Sequence, residues 1–157
     1  MPDRASEHYS KGLRNLSEKN YDQAIIEFSE ALSIDPYYEE ALDCRGKAYK
    51  NKGDFLKAIA DFSELISLNP NYKNAYSYRG YCYDNLGRYA EALSDYDEDI
   101  RRYPNEVIGY TNRAVVYCSQ GLPYKGLADV EKALSIQPDD ASIINLMKVI
   151  KKEYGLN

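Results

Sequence analysis

Four prolines, Pro36, Pro70, Pro104 and Pro138, follow one another at intervals of 34 residues, and so regular an interval leaves a chain few ways to fold. Repetition at a fixed period of about 20–50 residues marks a stack of like supersecondary units, each burying its apolar face only against its neighbour. The text before each proline repeats with it, as EFSEALSIDP, DFSELISLNP, DYDEDIRRYP and DVEKALSIQP. Upstream, CRGKAY, YRGYCY and NRAVVY align, and between the two blocks stand KNYDQAI, KGDFLKAI, LGRYAEAL and QGLPYKGL. These matches set out four units, residues 5–38, 39–72, 73–106 and 107–140, and a closing helix over 141–154, in a single domain spanning 1–157.

Each unit reads as two helices. In the first halves Leu42 and Tyr49, Tyr76 and Tyr83, and Tyr110 and Tyr117 stand two turns apart, and in the second halves Ala58, Phe62 and Leu65, or Ala92 and Tyr96, keep helical spacing. Gly53, Gly87 and Gly121, with Asn20 near the same place in the first unit, are expected to end the first helices, where a residue tolerant of positive φ stops a helix cheaply. The proline ends the second, because it has no N–H to give and pushes its predecessor out of α geometry. Gly12, Gly46 and Gly80, with Ala114 in the fourth copy, sit in mid-helix, where glycine costs about 0.5–1 kcal/mol. A cost repeated at a fixed position predicts a close approach of the partner helix, with Ala24, Ala58, Ala92 and Gly126 as the small residues opposite. Ile143, Ile144, Met147 and Ile150 give the closing helix an apolar side with which to cover the last unit. The fold class is all-α, a solenoid of antiparallel helix pairs.

Charge and composition narrow the function. A formal charge of -5 offers no general attraction to nucleic acid or to an anionic membrane. No apolar run suits a signal peptide or a membrane span, so a cytoplasmic protein is expected. Cys44, Cys82 and Cys118 are too far apart for a disulfide scaffold, and with only His8 beside them they suggest no zinc site. The acidic run Asp95, Asp97, Glu98 and Asp99 fans around a helix axis and lacks the calcium-loop glycine, which reads as a solvated face. No nucleophile–base set and no cofactor-binding motif is present, and no catalysis is expected. Lys11, Arg45, Arg79 and Arg113 recur sixteen residues before Glu27, Asp61, Asp95 and Asp129, a spacing that predicts repeated cross-helix ion pairs.

These small, aromatic and proline positions closely resemble those of the tetratricopeptide repeat family over residues 5–138. The first copy departs from the pattern at Asn15, where the later copies have Tyr49, Tyr83 and Tyr117. The resemblance implies a right-handed superhelix whose first helices line a concave groove, and a role in binding a peptide or protein as an adaptor, scaffold or assembly factor. On that basis the groove is expected to be lined by Ser6, Tyr9, Leu13 and Leu16, then by Glu40, Asp43, Lys47 and Lys50. Asn74, Ser77, Tyr81 and Asp84 follow with Tyr78 at the rim, then Ile108, Thr111, Val115 and Cys118 with Asn112 at the margin. A subclass of the family clamps the C-terminal carboxylate of chaperone tails with lysines, asparagines and an arginine. At the corresponding positions this chain has Tyr9, Leu13, Cys44, Asn74 and Tyr78, and none matches. The alternative to a protein partner is self-association into a homodimer through the apolar groove ends, Leu13 and Leu16 or Ile108 and Val115.

Overall fold

The computed structural model describes residues 3–156, and among these there are nine helices and no strand. They are α1 (Arg4–Ser17), α2 (Tyr21–Ile34), α3 (Glu39–Lys52), α4 (Phe55–Leu68), α5 (Ala75–Asn85), α6 (Tyr89–Arg102), α7 (Val107–Ser119), α8 (Pro123–Ile136) and α9 (Ala141–Tyr154). Local chemistry explains their ends. Asp3 caps α1 by accepting from the Ala5 N–H at 2.8 Å, and Asp140 caps α9 by accepting from the N–H groups of Ser142 and Ile143. After α3 the chain turns at Gly53 with φ of 91°, and Gly121 takes 73° after α7. In the first copy Lys19 holds the left-handed conformation, with φ of 60°, while Asn20 starts α2 as its N-cap. The expectation placed that turn on Asn20 and is corrected by one residue: the backbone bond pattern fixes the position of the turn, whatever side chain stands there.

The helices gather into two compact units, Met1–Leu86 and Gly87–Asn157. In the first, each helix packs on the next from α1 to α5, and α1 also meets α3 as α3 meets α5. The first-type helices therefore stand side by side. Phe28, Phe62, Leu42 and Leu65 are sealed in this core, and each such side chain contributes about 1.5–3 kcal/mol. The mid-helix glycines are explained by these rings. A Cβ on Gly46 would lie 2.8 Å from Phe62 Cε1, and one on Gly12 would strike the Phe28 ring. Here the close approach is ring against backbone, so the expected small-against-small contact with Ala24 and Ala58 is corrected.

Polar stitching follows the repeat. Arg45 grips Asp61 of α4 with Nε at 2.9 Å and Nη2 at 2.7 Å, and its third nitrogen donates to Ser29 of α2 at 3.1 Å. Arg79 reaches Ser63 in the same backward manner. In the first copy Glu27 is taken by His8, whose ring nitrogen lies 2.9 Å away, and the expected Lys11 pairing gives way to it.

In the Gly87–Asn157 unit α6 packs on α7, α7 on α8 and α8 on α9. A Cβ on Gly126 would fall 2.9 Å from the Ala114 carbonyl oxygen, so here two helix backbones do approach closely. Arg113 holds Asp129 through two nitrogens and Asp97 through the third. α9 seals its flank with buried Ile143 and Ile150, and the Tyr154 hydroxyl donates to the Cys118 carbonyl at 2.5 Å. The acidic run of α6 is not the solvated face expected, because Asp95 and Asp99 are buried while Glu98 is bound by Arg101 and Arg102. No helix among the described residues is long and apolar enough to cross a membrane.

Candidate functional site

In the Met1–Leu86 unit, the α3 and α5 helices bring two lysines and two tyrosines together. Lys47 donates to Asp43 Oδ2, one turn before it, at 2.6 Å, and its ammonium lies 4.9 Å from the centroid of the Tyr78 ring. Lys50, three residues on, stands 5.2 Å from Tyr78 and 5.3 Å from Tyr81. The Tyr81 ring meets Phe55 edge-on at 6.5 Å yet remains 41% exposed. An ammonium over a tyrosine face gains about 0.5–2 kcal/mol, depending on how far water is excluded. Burial pushes the Lys50 ammonium below its ordinary pKa. Burial likewise raises the Asp84 carboxyl, one turn beyond Tyr81.

Two expected contact residues are closed to a partner. Asp43 is 5% exposed and Ser77 0%. Both hold the fifth position of their unit; in the second copy Tyr72, beyond the second helix, faces Asp43, and in the first Tyr38 lies 5.0 Å from Tyr9, the equivalent residue. Asp43 is consequently raised by burial, and Lys47 opposes the rise. Tyr9 is half-buried, with its ring also 5.9 Å from Phe28 and its hydroxyl 3.9 Å from Cys44 Sγ, so it belongs as much to the core as to the face. Leu13 is 39% exposed, Glu40 is exposed and Asn74 is half-buried at the start of α5 with φ of 68°. Sequence reasoning missed Tyr38, Tyr72 and Phe55; the first two were signalled by their shared place two residues after Pro36 and Pro70.

In the Gly87–Asn157 unit, Thr111, Asn112 and Val115 of α7 share an open hollow of about 350 Å³ with Ile108 and, from α9, Ile143 and Leu146. Val115 is exposed, and the Thr111 hydroxyl lies 3.1 Å from the carbonyls of Val107 and Ile108 in its own helix. The floor is therefore largely apolar, with Asn112 at its edge. Among the described residues no group of three or more His, Cys, Asp or Glu side chains is placed to hold a metal.

Family models described as tetratricopeptide repeat match residues 8–38 and 45–107. The chain belongs to the tetratricopeptide repeat family. This tetratricopeptide repeat chain falls in a family of non-catalytic scaffolds that bind proteins and peptides. No curated protein matches the sequence. Among solved structures, MamA (41-end) from Desulfovibrio magneticus is similar with a TM-score of 0.86 at 20% identity, over 99% of this chain and 88% of that one. A thermophilic TPR protein of Thermus thermophilus gives 0.81 at 22% identity, over 97% and 84%. The first TPR of Spaghetti, solved bound to an HSP90 peptide, SRMEEVD, gives 0.72 at 26% identity, over 75% and 94%.

Proposed function

We propose that this tetratricopeptide repeat chain is an adaptor or assembly factor that takes an extended segment of a protein partner along the α1, α3 and α5 face of its Met1–Leu86 unit. The observation that carries this is Tyr81, a large ring left 41% exposed, whose neighbour Lys50 also reaches the Tyr78 ring. Such rings give a partner rigid contact area at low entropic cost and end in a hydroxyl that can hydrogen-bond. The Spaghetti domain, similar in fold, was solved with a peptide on it. Thr111, Asn112 and Val115 offer the other unit a separate apolar contact. A net charge of -5 weighs against nucleic acid, and three unpaired buried thiols suit a reducing compartment, the cytoplasm in this reading.

The test pans the full chain against a library of random twelve-residue peptides. Tyr81→Ala is expected to weaken the enriched peptides about tenfold or more while the unfolding midpoint stays where it was. Lys47→Ala is a poor probe, since it strands the buried Asp43 carboxylate. Peptides that ignore Tyr81→Ala refute the assignment of this face. Self-association into a homodimer is favoured by the exposure of Leu13 and Val115, and a monomer mass independent of concentration in light scattering removes it.

A further inference from the structure

The charges of the α3 and α5 face do not balance one another. Arg45 and Lys47 are both half-buried, and each holds a carboxylate, Asp61 at 2.7 Å and Asp43 at 2.6 Å. Lys50, on the same helix and equally half-buried, holds none among the described residues, and its ammonium meets the Tyr78 and Tyr81 rings. One repeat later Asp84 occupies the equivalent twelfth position, half-buried, with no described cation beside it. A partly desolvated charge without a counter-charge is costly to keep, and two of opposite sign flank one exposed ring.

Resting on the function proposed above, we infer that this face reads a segment carrying one carboxylate and one cationic side chain, the carboxylate meeting Lys50 and the cation meeting Asp84. The spacing is set by the helix and the ring. Lys50 Nζ lies 5.3 Å from the Tyr81 ring, and Asp84 follows one turn later, a rise of about 5 Å. An extended chain covers that total in about three residue steps and repeats its facing every second residue. The acid and the base are therefore expected two or four residues apart, with an apolar or small residue between them over Tyr81. Complementary charge also sets polarity, because a segment laid in the reverse direction would face each charge with its like.

The experiment uses the enriched peptides from the random library and the full chain. Paired acidic and basic residues at two- or four-residue spacing are expected, and Glu→Gln or Lys→Ala changes within the peptide should each weaken binding about tenfold. Lys50→Gln and Asp84→Asn in the protein should each do the same. The double variant Lys50→Glu with Asp84→Lys, its fold checked by circular dichroism, should prefer the peptide with acid and base exchanged, an inversion that misfolding cannot imitate. If enriched peptides depend on Tyr81 but carry no charge pair, or the exchanged peptide is not preferred, this inference falls while the binding function stands. If the library yields no binder at all, both fall.

Discussion

Replacing Gly46 with alanine sets two effects of known size against each other. Alanine in a helix interior is favoured over glycine by about 1 kcal/mol, so an open site would gain stability. Here the new methyl would lie 2.8 Å from Phe62 Cε1 and 2.9 Å from Cζ, well inside van der Waals contact. The ring is 0% exposed and lies 5.6 Å from the Tyr78 ring, so it has nowhere to retreat without moving a second aromatic. Overpacking of this kind costs about 1–3 kcal/mol, and it outweighs the propensity gain. Gly46→Ala should therefore destabilise by a net of up to about 2 kcal/mol, read as a lower urea midpoint by circular dichroism at an unchanged slope. Phe62→Leu should cost less in the Gly46→Ala background than in the native chain, since the smaller side chain makes room for the added methyl. A Gly46→Ala variant more stable than the parent by the full helix-propensity gain of about 1 kcal/mol would refute the claim that the ring occupies the space of the missing Cβ.

Lys19→Gly relieves a positive φ that has no glycine and should stabilise the chain by about 0.5–1 kcal/mol, measured by thermal unfolding. Hydrogen bonds from Arg101, and after it Arg102, hold Glu98 down at about 2 from an ordinary 4.5. Its folded-state pKa is depressed, so its contribution is fully present above pH 4.5 and drains away as pH falls toward about 2. Acid unfolding of Glu98→Gln should lose that part of the pH dependence, and an unchanged acid limb argues against the pair. Tyr154→Phe removes the bond to the Cys118 carbonyl and should cost about 1 kcal/mol. Amide exchange should quicken in α9 before it does in α7 or α8; uniform quickening would mean that α9 is not an independently docked cap.

The period made the helices legible. Prolines, glycines and recurring aromatics placed nine helices closely, because backbone termination is local chemistry that the residues themselves announce. Arg45 with Asp61 and Arg113 with Asp129 were equally legible as spacings. Which groove positions stay open was not. Asp43 and Ser77 have the polarity of surface residues, yet their burial is decided by neighbouring segments such as the one bearing Tyr72, in a register that helical periodicity does not encode. Lys50 shares its helix with Glu40 and Asp43, and only the packed fold reveals that it is Lys47 that takes the Asp43 carboxylate.

The guanidiniums of Arg45 and Arg113 sit midway between partners, sixteen residues behind and sixteen ahead, at Ser29 and Asp61 for one and Asp97 and Asp129 for the other. A single inserted or deleted residue between an arginine and either partner turns that partner about a hundred degrees around its helix and unfastens it. Adding or losing a whole 34-residue module at a unit boundary returns every such fastener to an equivalent mate. Whole modules can therefore be added or removed with every fastener kept, whereas an in-frame insertion or deletion inside one loosens them even where it falls far from any partner.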